Sequence, residues 1–179
     1  FTADRHSHRC SLHFHAHTEV SVVESWGETG VFYNPQNKFK RGVYVLTVKE
    51  KDGDNDKASN LDRSNIYRLN IGVSKNTFLK HFAGIPARPP KGGVIDMEYD
   101  FTQTGILMPH PVYGWMSWVC ILNPTVEYFN SSLKELIAEA YELARQKAKN
   151  VNNVVAQSRK GESVICRQRR KAAHHCLGS

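Results

Sequence analysis

No stretch of the 179 residues approaches the roughly 20 consecutive apolar positions that a bilayer-spanning helix needs, so no transmembrane segment is expected. The first 18 residues are rich in His and Arg and lack the apolar centre of a secretory leader, although the chain opens on Phe1 rather than Met, as a fragment or a processed product does. Cysteine is scarce. Cys10, Cys120, Cys166 and Cys176 are too few and too scattered for a disulfide scaffold, and Cys120 lies in an apolar run as a small core residue would. A reducing, cytoplasmic compartment is the expectation.

Charge is also short where a nucleic-acid-binding domain would need it. The chain carries +7, but residues 151–179 hold +5 of this, with Glu162 the one acid against six Lys and Arg. Residues 1–18 hold +1, which leaves +1 for residues 19–150. A basic footprint across the globular part is missing. The tail has no aromatic residues among its cations, so it could touch nucleic acid only nonspecifically, by counterion release.

Composition divides the chain into three zones without internal repeats. Residues 1–18 form a His-rich extension expected to be poorly ordered, 19–150 form a single domain, and 151–179 form a basic tail expected to be disordered. In the middle zone Val20–Val23 and Val31–Tyr33 read as strands around a turn at Gly27–Gly30, and Gly42–Lys49 and Ile66–Val73 alternate as strands do. Ser74 offers a cap to a short helix over Lys75–Phe82, and residues 83–93 (AGIPARPPKGG) can only be a loop. Trp118–Leu122 is apolar on both faces, the mark of a central strand. A long helix begins between Thr125 and Ser132, where Ser132 and Glu135 form a capping-box pattern. Its Phe129, Leu133, Leu136, Ile137, Ala140 and Ala144 make one apolar face. The expected architecture is α+β: one antiparallel sheet with helices mainly on one face.

Candidate chemistry centres on residues 106–124. His110 stands between Pro109 and Pro111, which stiffen the backbone in an extended form, and beside Tyr113 and Trp118. Its ordinary pKa near 6.5 suits acid/base work or the binding of an anion, with Asp62 or Asp100 available to orient it. Arg68 and Asn70 project from the same face of one strand, and with Asp62 and Arg63 they could clamp a carboxylate or a phosphate. The bland alternatives are a hydrogen-bonded corner histidine and an Arg68 paired to an acid. The loop Asp52–Asp56 is not a calcium loop, since Lys57 stands where position 6 needs Gly and Arg63 where position 12 needs Glu. His6, His8, His13, His15 and His17 with Cys10 have ligand-like chemistry but fit no closed zinc motif, so neither metal nor cofactor is expected.

The segments SNLDRSNIYRLNIGVSKNTFLKHF (59–82), YDF (99–101), MPHPVYGWMSWVCILNP (108–124) and LKELIAEAYELARQK (133–147) resemble a mostly bacterial family of domains of unknown function. Its members show S-x-LDR, F/Y-R-x-NIGV, MPHPVY and WVC-x-x-NP in that order, and the likeness covers about residues 20–149. More distantly, the arrangement resembles the MmcQ/YjbR-like α+β fold, which implies a double-wing mode of DNA binding. Family members open with an amphipathic helix where this chain has its His-rich stretch, and the tail after Asn150 is foreign to the family. Without that helix, apolar sheet surface is expected to lie uncovered. The sequence therefore favours a small-molecule or peptide-binding domain with a pocket near His110, between His110, Tyr113 and Trp118 and the strand face bearing Arg68 and Asn70. A His-dependent enzyme and a double-wing nucleic-acid binder are the alternatives.

Overall fold

The computed structural model describes residues 19–151. Expectations for residues 1–18 and 152–179, including the histidine cluster and the basic tail, lie outside them. Of the described residues, those up to Arg145 belong to one compact unit, which holds the sheet and the candidate site.

Six strands form one antiparallel sheet: β1 (Val20–Ser25), β2 (Glu28–Tyr33), β3 (Val43–Lys49), β4 (Arg68–Gly72), β5 (Met108–Pro109) and β6 (Trp118–Leu122). Their order is β1-β2-β3-β4-β6-β5, so the apolar β6 lies between two neighbours, as its composition implies. With helix α1 (Lys75–His81) and the long helical run α2 (residues 126–151), the protein is α+β. Among the described residues no helix is long and apolar enough to cross a membrane.

Local chemistry moves some boundaries. The first hairpin turns at Trp26 and Gly27, both with positive φ (54° and 73°), the conformation that lets a two-residue loop follow the twist of its strands. Glu28, Thr29 and Gly30, expected in the turn, therefore belong to β2. Gly30 is needed there for another reason: a Cβ would lie 2.7 Å from the Phe32 ring. Ser74 does cap α1, accepting the Thr77 amide at 3.1 Å. The capping pattern at Ser132 and Glu135 does not open α2. Thr125 does so, through its hydroxyl and the Tyr128 amide (3.2 Å), and Ser132 falls within a π-turn over Phe129–Leu133. β5 escaped the sequence because it has only two residues and one is proline, tolerated at a sheet edge.

The pairing register sorts the sheet into two faces. Val31, Tyr33, Leu46, Val48, Leu69, Ile71, Val119 and Ile121 share one face, all buried. Helix α2 packs on this side, where Tyr141 meets Tyr33 edge-on at 5.4 Å, and Leu133, Leu136, Ala140 and Ala144 form its buried stripe. The opposite face carries Thr47, Lys49, Arg68, Asn70, Cys120 and Met108. Loops cover it, through a cluster of Leu61, Ile95, Phe101, Met108, Cys120 and Leu122. The polar residues of β3 and β4 thus lie beneath a loop layer, away from α2.

Candidate functional site

Arg68 opens β4 and is wholly buried. Three elements meet its guanidinium. Its Nε donates to Asn70 Oδ1 (2.8 Å), two positions along the strand and so on the same face. Nη1 donates to Ser59 Oγ (2.7 Å) and Asp56 Oδ1 (3.1 Å), and Nη2 donates to Asp56 Oδ2. Asp56 therefore takes the guanidinium with both oxygens, the fork geometry that makes such pairs strong. Behind it, Asn70 Nδ2 donates to Thr47 Oγ1 on β3 (2.9 Å), the residue directly opposite in register. Four of the five guanidinium hydrogens end on oxygen. The fifth faces His110, whose Nε2 lies 3.2 Å from Nη2.

The Pro-His-Pro corner positions that imidazole. The His110 amide donates to Trp118 O (2.9 Å) and ties the corner to the start of β6, while the Gly114 amide donates to His110 O (2.8 Å). Gly114 is closely covered: a Cβ there would lie 2.8 Å from Ile95 Cδ1 and near Pro86 and Pro109. The loop before β5 is thus folded against the corner, and the Ile95 amide secures it on Pro111 O (2.8 Å). The Tyr113 ring, half-exposed, lies 5.0 Å from the imidazole. Trp118 packs its indole over Gly72.

Both ring nitrogens of His110 face donors. Nδ1 receives the backbone amides of Val112 and Tyr113, each at 3.1 Å, and Nε2 faces the Arg68 guanidinium. Burial, then the charges of Arg68 and Lys49, hold its pKa well below the usual 6.5, so the imidazole is neutral. Protonation is then easier in the unfolded chain. Full stability is expected above about pH 6.5, with loss as pH falls below that value, by up to about 1.4 kcal/mol per pH unit from this group. Urea unfolding of the parent and of His110→Gln between pH 7.5 and 5.0 checks this. The variant should show a shallower acid slope, and equal slopes would contradict a neutral buried imidazole.

The remaining sequence candidates are occupied elsewhere. Asp62 accepts the Asp52 amide (3.2 Å), while Asp52 accepts that of Leu61 (3.0 Å). Arg63 donates to the carbonyls of Asn60, Ser59 and Thr102, joining two loops. Asp100 accepts the hydroxyl and amide of Thr102, bonds that lower its pKa. None of these side chains is among the hydrogen-bond partners of the imidazole. Burial pushes the Cys120 thiol up to about 12, and it donates to Pro109 O at 3.6 Å, so it is no nucleophile. Among the described residues no three His, Cys, Asp or Glu side chains are grouped to hold a metal ion. The structure thus brings Arg68, Asn70 and His110 together and adds Asp56, Ser59 and Thr47, which sequence reasoning missed. The signal for Asp56 was an acidic loop a dozen residues ahead of a strand carrying an unexplained arginine.

Residues 7–153 match the model of DUF6194, described as a family of unknown function. No curated protein and no solved structure gives a match.

Proposed function

Because the chain belongs to DUF6194, whose function is unknown, we propose its role from the site alone: a small-molecule-binding domain whose pocket lies at the Pro-His-Pro corner. One observation carries the reading. A buried guanidinium and a buried neutral imidazole stand 3.2 Å apart with only donors turned toward the ring. A purely structural histidine gains by pairing one nitrogen with an acceptor, and this one has none among its contacts. In this reading Tyr113, 5.0 Å from the imidazole, with Trp118 at the head of β6 makes the rim, and Arg68, held by Asp56, Ser59 and Asn70, makes the floor.

Binding is favoured over acid/base catalysis by the same contacts. A general base needs a free lone pair, and two amides occupy Nδ1 while a cation faces Nε2. Asp62 and Asp100 are engaged in their own loops and orient nothing here. The near-neutral charge of residues 19–150 argues against a nucleic-acid surface.

A thermal-shift screen of the full chain tests the reading, using a library of metabolite-sized anions, cations, neutral compounds and short peptides. At about 100 times its Kd a ligand adds about 2.7 kcal/mol, which raises Tm by several degrees. At least one compound should stabilise the parent and lose that effect in Tyr113→Ala, which removes an exposed ring. A library in which no compound separates the two proteins overturns the proposal.

A further inference from the structure

We infer that the group this pocket accepts is a carboxylate, one oxygen of which bridges His110 Nε2–H and Arg68 Nη2. This rests on the pocket reading above and adds the ligand's chemistry. The argument begins with the tautomer. If the proton sat on Nδ1 it would confront the amide hydrogens of both Val112 and Tyr113, which the backbone turn fixes in place. Turning the ring over would set a C–H against those amides instead. With the proton on Nε2, Nδ1 accepts both amides, and a single conflict remains with one hydrogen of Arg68. His110 is therefore an Nε2–H donor.

Two donors side by side make an acceptor site. Their nitrogens are 3.2 Å apart, so an oxygen about 2.8 Å from each completes a nearly equilateral triangle, reached by a tilt of the imidazole and guanidinium planes that carry the two N–H bonds. The half-exposed Tyr113 ring lies 5.0 Å from the imidazole.

Charge then selects an anion over a neutral carbonyl. Asp56 balances Arg68. Lys49, directly across from Arg68 in register and on the same face, is mostly buried and pairs with Glu28 at 3.9 Å. Two cations thus lie near the imidazole, Arg68 tightly paired to Asp56 and Lys49 paired to the more exposed Glu28 only at 3.9 Å. A monoanion sets its charge beside both cations, whereas a phosphate dianion brings more charge and more oxygens than the two donors can serve.

Nitrogen-15 NMR of the full chain at pH 7.5 reads the tautomer directly, with sodium acetate, inorganic phosphate and sodium chloride titrated at matched ionic strength. His110 should show the Nε2–H pattern, and its Nε2–H proton should shift downfield and saturate with acetate, less with phosphate and not with chloride. Lys49→Met should keep the tautomer and weaken the acetate response about tenfold. An Nδ1–H pattern overturns the inference. So does an Nε2–H signal indifferent to acetate, which means that an internal water satisfies the pair, and so does a stronger response to phosphate. If library compounds stabilise the parent but not Tyr113→Ala while His110 stays unmoved, the carboxylate fails and the pocket stands. If none does so yet acetate still shifts His110, the broader reading falls and the acceptor site alone remains.

Discussion

Arg68→Met is expected to lower the unfolding free energy by about 3–5 kcal/mol, measured by urea denaturation at pH 7.5. Methionine keeps much of the side-chain length but none of the donors. Asp56 then loses its counter-ion and both of its guanidinium bonds, while Asn70 and Ser59 lose the hydrogens they accept. The penalty arises from what is left behind more than from the bonds themselves, because a buried polar group without a partner bears its full desolvation cost. A cycle with Asp56→Ala separates these contributions. Asp56→Ala alone strands a wholly buried cation, whereas the double variant leaves neither charge unpaired, so its loss should fall short of the sum of the two single losses by about 0.5–3 kcal/mol. Additive losses would mean that the two residues act independently, contrary to the bidentate geometry.

The residues of this network illustrate what the sequence discloses. Arg68 and His110 stood out separately, each as an anomaly: a cation and an amide on an apolar strand, and an imidazole between two prolines. That they meet was expected, but no local pattern enforces it: they are 42 residues apart, and the β4–β6 register and the tie from His110 to Trp118 bring them together. Asp56 was harder still. Loop residues have no periodicity to announce which way they point, and the acid run looked solvated although one member closes over the sheet. The strands, by contrast, were legible where alternation or a continuous apolar run fixed them. That held for β3, β4 and β6, and for the stripe of α2, whose Leu133, Leu136, Ala140 and Ala144 are buried as their spacing requires. The first turn was misplaced because Trp26, a bulky residue, adopts a positive φ that sequence rules reserve for glycine and asparagine.

Phe78→Ala should produce a loss as large as that of Arg68→Met, about 3–5 kcal/mol, through packing rather than charge. Phe78 is completely buried in α1 and its ring meets that of Phe82 at a tilt of 56°, centroids 4.8 Å apart. Phe82 meets Tyr99 edge-on at 6.0 Å, and Tyr99 lies 6.2 Å from Phe101, a member of the cluster that roofs the polar face of the sheet. A cavity at Phe78 therefore removes the first support in a row of rings that reaches the loop layer over the site. Close-packed interiors relax only partly around such a gap, so the rings beyond it lose contacts they cannot replace. Hydrogen exchange should record this as faster exchange at the Met97 and Tyr99 amides, whose acceptors are Ile95 O and Met97 O within that layer, in addition to the global loss read by denaturation. Phe78→Leu, which keeps most of the volume, should recover the greater part of both effects. If the alanine variant loses stability while those two amides exchange no faster than global unfolding requires, the rings pack locally and do not brace the roof of the site.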